Sequence, residues 1–285
     1  LIREQVDISK VKVLAGNISK NYKKFDEANF VKSIDKQLSS LGLNERVLLI
    51  TEHLYEFLPK DYLRSLPILV KSLEKELPSN IDDIIGEETG DSLGFINSSL
   101  TLYVSKYGSE YLDESLSALY EMTKRFTSEW AIRTFIISNE KESLKVMKKW
   151  AKDSNLHIRR LVSEGSRPRI PWGVKLASFI EDPKPVISLL SLLKSDPCLY
   201  VRRSVANNLN DIAKDHPDVV TSTLKKWNTD KSKEMTWLIS HALRTLVKNG
   251  DTNALSLIGY SQNLKIDNVK IKIRKSNIKL GESLD

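Results

Sequence analysis

Three carboxylates stand among residue types that suit the binding of a charged partner. Glu129 lies in Ser128-Glu129-Trp130-Ala131-Ile132-Arg133. Glu164 precedes the break Gly165-Ser166-Arg167-Pro168-Arg169-Ile170-Pro171-Trp172, and Asp211 closes Asn207-Asn208-Leu209-Asn210-Asp211. A helical pattern through Arg159, Arg160 and Val162 stops at the break, because Gly165, Pro168 and Pro171 cannot extend it. An acid, two arginines and a tryptophan at one break suit a surface that grips an anion beside a flat ring. A polyanion is the first partner this suggests. Plainer roles stay open for each acid: Asp211 paired with Lys214 in solvent, Glu129 paired with Arg133, and Glu164 capping the following turn.

Other chemistries lack their residues. His53, His157, His216 and His241 are scattered without metal spacing, and the HExxH, CxxC, GxxxxGK[ST] and GxGxxG patterns are absent. No metal and no nucleotide or other cofactor is therefore expected. Arg159, Arg160, Arg167, Arg169, Arg202, Arg203 and Arg244 recur in step with an internal repeat, which fits phosphates spaced along a duplex. One member of each pair could instead bridge to a neighbouring acid, and a mixture is expected.

The elements that must position these side chains read as helices. Apolar residues recur three and four apart, as in Val31, Ile34, Leu38 and Leu41 or Leu112, Leu116, Leu119 and Met122. Asp182-Pro183 and Asp196-Pro197 read as helix starts, with Asp capping and Pro in the first turn. The segment Leu156–Glu164 aligns with Leu199–Asn207 at an offset of 43, and Arg203–Leu209 aligns more loosely with Trp237–Leu243 at an offset of 34. Units of this length built from helix pairs predict an all-α, HEAT-like solenoid over residues 1–262. Stacking would align Glu164, Asn207 and His241 in one row. Asn207 and Asp211, four apart, share a helix face. Residues 263–285 change to alternation through Ile266, Val269, Ile271 and Ile273, which predicts strands at the opening of a truncated β-sandwich.

The formal charge is +7, unevenly placed: residues 1–140 sum to −5, 141–251 to +9 and 252–285 to +3. A basic middle fits a phosphate-facing surface; a solvated helical face with chance excess is the alternative. No apolar run is long enough to span a membrane. The first residues lack the order of a secretory signal, and the lone Cys198 fits a reducing cytosol and a buried small hydrophobe. A cytoplasmic monomer is expected.

The segments 126–136 (FTSEWAIRTFI), 157–172 (HIRRLVSEGSRPRIPW), 200–217 (YVRRSVANNLNDIAKDHP) and 237–255 (WLISHALRTLVKNGDTNAL) resemble the AlkC/AlkD-type DNA alkylation-repair glycosylases, most closely the AlkC branch. That resemblance implies a HEAT-like solenoid cradling double-stranded DNA and hydrolysing the N-glycosidic bond of cationic alkylated bases such as 3-methyladenine or 3-methylcytosine. It implies Glu129, Glu164 and Asp211 as active-site carboxylates, with Trp172 lining the lesion pocket and Trp130, Asn207 and His241 beside it. The recurring arginines would hold DNA. The tail resembles the start of an immunoglobulin-like domain. No lysine nucleophile is evident, so a monofunctional enzyme is expected. The competing reading is a non-catalytic HEAT-like scaffold that binds nucleic acid or protein; an inactive DNA-binding paralogue is a third.

Overall fold

The computed structural model describes residues 2–78, 94–229, 231–260, 270 and 277. After a short 3-10 turn the chain forms α1 (Ile8–Asn21), α2 (Glu27–Leu38), α3 (Leu43–Phe57) and α4 (Tyr62–Lys71). There follow α5 (Asn97–Tyr107), α6 (Leu112–Thr123), α7 (Ile132–Ser138), α8 (Glu140–Trp150), α9 (Leu156–Gly165) and α10 (Ala177–Glu181). The remainder is α11 (Lys184–Leu193), α12 (Leu199–Ile212), α13 (Pro217–Trp227), α14 (Lys233–Ala242), α15 (Arg244–Lys248) and α16 (Thr252–Leu257). Among the described residues there is no strand. The strands expected over 263–285 fall outside the described residues, apart from Lys270 and Asn277, which have no regular structure, so that expectation gains no support.

The helices stack as repeats. One row runs α3, α5, α7, and then α9, α12, α14; α1, α4 and α6, then α8 and α11, cover its other side. A continuous apolar core follows the stack, from Val11 and Phe30 through Leu119 and Phe135 to Leu209 and Leu238. Burial of these stripes outweighs weak local propensity and is what holds such short helices. The sequence offsets appear as matching helix starts at Leu156, Leu199 and Lys233. Cys198 is buried at the start of α12, and Trp227 is buried with the Lys194 ammonium 5.7 Å from its ring centre.

The two Asp-Pro starts differ from expectation. Helix α11 begins at Lys184 and α12 at Leu199, one or more residues beyond each proline. Asp182 and Asp196 instead accept from the N–H two residues on, Lys184 at 3.0 Å and Cys198 at 2.9 Å, forming Asx turns ahead of the helix. Asp196 also takes the Arg159 guanidinium, a partner no local rule supplies.

Candidate active site

The break after α9 is built by close approach. A Cβ on Gly165 would come 2.7 Å from Ile132 Cγ2, so glycine lets α9 close onto the start of α7. That contact brings Glu164, on the last turn of α9, towards Glu129, in the turn before α7. Glu164 is 5% exposed, Glu129 7% and Asp211 3%. Buried carboxylates need partners, and two arginines supply them.

Arg160 donates to Glu129 and to the Thr127 hydroxyl, and its Nη2 lies 3.7 Å from Glu164 Oε1. Arg167 Nη1 lies 2.5 Å from that same Oε1, and its Nε and Nη2 both lie 2.7 Å from Asp211 Oδ2. The other carboxylate oxygens are held too: Ser204 Oγ donates to Glu164 Oε2 at 2.6 Å, and Lys214 Nζ to Asp211 Oδ1 at 2.9 Å. The three acids thus alternate with two guanidiniums in one buried chain from α7 to α12.

Burial raises the Glu164 pKa, but the Arg160 and Arg167 charges and the Ser204 hydroxyl outweigh it, and the carboxyl is held below its ordinary range. Burial likewise disfavours charge on Arg160 and Arg167, but Tyr200, Glu129 and Glu164 beside the first, and Glu164 and Asp211 beside the second, reverse this and raise both. Tyr200 covers Arg160, with the guanidinium carbon 5.2 Å from its ring centre.

Trp172 is 72% exposed and holds a left-handed φ of 61°, a conformation that costs a bulky residue roughly 1–2 kcal/mol. Beside it opens a cavity of about 290 Å³ walled by Trp130, Trp172, Phe95, Leu43, Val47 and Val174, with Asn44, Thr101, Ser105 and Thr134 as polar lining. Among the described residues no charged side chain lines it. Trp130 follows Glu129 directly in the chain and donates its Nε1–H to Pro171 O at 3.2 Å.

The expected row is only partly bonded. Asn207 Oδ1 is shared by His241 Nε2 at 3.0 Å and Arg244 Nη2 at 3.1 Å, and His241 stacks on Trp237 with ring centres 5.0 Å apart. Burial, and after it the Arg244 and Arg203 charges, lower the His241 pKa and favour the neutral ring. Glu164 connects to α12 through Ser204 rather than Asn207.

The arginines divide as one internal set and one outer set. Arg159 Nη1 donates to the Asp153 and Ser154 carbonyls, and Arg202 Nη1, at the equivalent position of the next repeat, to Asp196 and Pro197. Arg160 and Arg167 are spent on the acids. Arg159, Arg160 and Arg167 thus spend their forks on acids, unlike the DNA-gripping role expected of them, whereas Arg202 engages only Nη1 among the described residues. Arg169 pairs with Asp215, Arg244 leans on His241 O at 2.6 Å, and Arg203 is exposed without a hydrogen-bond or ion-pair partner among the described residues. Of the plainer readings, the Asp211–Lys214 pair exists but the aspartate is buried, and Glu129 takes Arg160 in place of Arg133.

Sequence reasoning missed Ser204 and Thr127 as partners of the acids, and the role of Arg133. Fully buried, Arg133 donates to the backbone of the 165–174 segment: to Gly165 O at 3.1 Å, Arg167 O at 2.7 Å, Pro168 O at 3.3 Å, and Val174 O. Desolvation, followed by the nearby Arg167 charge, lowers its pKa to about 10, so it stays charged near neutrality.

Fold and site together define a helical-repeat protein with a buried acid–arginine chain beside an exposed aromatic platform. Residues 124–246 match the family described as DNA alkylation repair enzyme. The uncharacterized protein YhaZ of Bacillus subtilis is 36% identical over 278 residues, covering 95% of this chain and 72% of that protein. The solved structure of Pseudomonas fluorescens alkylpurine DNA glycosylase AlkC, bound to DNA with an abasic-site analogue, superposes with a TM-score of 0.78 at 37% identity, over 91% of this chain and 68% of that one. The chain belongs to the DNA alkylation repair family, AlkC/AlkD type, with the helical-repeat fold of AlkC.

Proposed function

We propose that this protein is a DNA glycosylase that hydrolyses the N-glycosidic bond of cationic alkylated bases, 3-methyladenine and 3-methylcytosine being the candidate substrates. The observation that carries this is the convergence of Glu129, Glu164 and Asp211, joined by Arg160 and Arg167, with Trp130 directly after Glu129 and bonded to the segment that carries Trp172. A base that already bears positive charge leaves without acid help. Breaking C1′–N sends both electrons to the ring and leaves an oxocarbenium-like sugar. A fixed carboxylate stabilises that charge as it develops and orients the water that adds to C1′, whose proton it accepts and passes to solvent. Asp211 is assigned to the water and sugar, with Glu164 and Glu129 holding the lesion and Trp172 and Trp130 against the base. Arg203, Arg244 and Arg169 are the DNA contacts this geometry favours, with Asn207 and His241 on the same side. Activity is assigned to residues 1–262, acting as a monomer.

Lys214 bonds Asp211 at 2.9 Å, the pairing the sequence offered, although the aspartate is buried. Its ammonium is engaged by the carboxylate, and a protonated amine is no nucleophile, so strand cleavage is not assigned to it. The test is incubation with N-methylated duplex and mass analysis of what is released. Free methylated base, with no borohydride-trapped covalent adduct, is expected. Duplex binding without any base release would select the non-catalytic scaffold instead.

A further inference from the structure

We propose that Arg133 is a positioning residue that holds Trp172 ready as a stacking surface at the mouth of the neighbouring cavity, and so sets the rate of base release without touching substrate. The argument starts from an oddity of burial. A guanidinium that is 1% exposed ordinarily sits against a carboxylate. Among the described residues Arg133 has none within hydrogen-bonding reach, although Asp211, Glu129 and Glu164 lie nearby. It spends its donors on four carbonyls of one segment, Gly165, Arg167 and Pro168 at one end and Val174 at the other. A planar fork of five donors can do this, and a lysine cannot.

The segment needs such a clamp. Trp172 sits in the left-handed region with its ring outside the core, so little of its own burial holds it there. Trp130 adds one more bond, to Pro171 O, and Gly173 is wedged so tightly that a Cβ would meet Ile170 at 2.3 Å. Arg133 therefore fixes both ends of the arch while Trp130 fixes its crown. A ring already oriented loses less freedom when a flat heterocycle stacks on it, which lowers the barrier of the bound complex more than it improves ground-state binding. Because the described lining of the neighbouring cavity is apolar or neutral, the platform there reads flatness, with Glu45 the acid on the adjoining side of Trp172.

The excision part of the test rests on the glycosylase reading; the second part does not. Single-turnover base release is measured for wild type, Arg133→Lys, Trp172→Ala and the double variant. Arg133→Lys is expected to lose about tenfold in rate with the Kd for undamaged duplex unchanged, and the double variant to be no slower than Trp172→Ala alone. Independent, multiplying losses would overturn the proposal, as would a wild-type rate in Arg133→Lys. Hydrogen exchange then reads the clamp without chemistry: the Gly173 and Leu176 N–H groups, bonded to Ile170 O and Pro168 O, should exchange about tenfold faster in Arg133→Lys while α9 is unchanged. Unaltered exchange would sink the positioning role even if no base were ever released. If Arg133→Lys fails to fold, Trp130→Phe, which removes the Pro171 bond but also trims the cavity wall, is read by exchange alone: the Gly173 N–H must exchange faster, and unaltered exchange there overturns the clamp.

Discussion

Asp211→Asn is the perturbation with the sharpest expected split. The residue is 3% exposed, with Oδ2 taking two donors of Arg167 at 2.7 Å and Oδ1 taking Lys214 at 2.9 Å. The amide keeps the shape but turns one acceptor into a donor, so an N–H must face either Arg167 or Lys214. Lys214 is 45% exposed and can swing into water, so its share of the loss is small. Arg167 retains Glu164 at 2.5 Å. The stability cost is therefore that of one poorly satisfied buried group, about 1–3 kcal/mol, well short of a stranded charge. The catalytic cost is larger in effect. Removing one fixed charge that acts chiefly in the transition state costs about 2.7–4 kcal/mol, or roughly 10²–10³ in rate. Single-turnover release from methylated duplex should fall by that factor, with Kd within about threefold of wild type and a Tm lower by several degrees. A rate unchanged, or a rate and affinity lost in equal measure, would refute the assignment.

Trp172→Gly should relieve backbone strain while removing the platform: Tm within about 2 °C of wild type and release at least about tenfold slower, because the ring buries little of itself. The Glu164 carboxyl has a lowered folded pKa, so its stabilisation is fully present above the unfolded value of about 4.3 and is lost as pH falls through the folded one. The stability gap between wild type and Glu164→Gln, from denaturant midpoints, should be flat from about pH 8 to 5 and close only below about pH 4. Arg203→Ala should reduce the slope of log Kd against log salt by about 1 and spare Tm. Arg159→Ala should do the reverse, lowering stability by about 3–5 kcal/mol by stranding the buried Asp196, with the salt slope intact.

The repeat was legible because a stack needs equivalent apolar stripes, and the offsets of 43 and 34 fall on the starts of α9, α12 and α14. The three acids were legible as residue types in motifs, but their partners were not. Glu129 read locally as the mate of Arg133, four residues on; it sits in a turn before α7, where helical spacing does not hold. Its mate, Arg160, is 31 residues away. Asp211 read as solvated because it lies off the apolar stripe of its own helix. Helix α12 packs against α9, α11 and α14, so its polar face is covered as well. Pairings that cross repeats depend on packing distance, which single-helix periodicity does not encode.

Along the chain Glu129, Arg160, Glu164, Arg167, Asp211 and Lys214, negative and positive groups alternate three against three. From a few ångströms away such a string is electrically almost silent, whereas at contact range each oxygen still presents its own field. A strand rich in phosphates can draw near without being pushed off, and only the atom pressed directly against an oxygen feels the anion. Recognition of local charge is thereby decoupled from the long-range pull that delivers the strand.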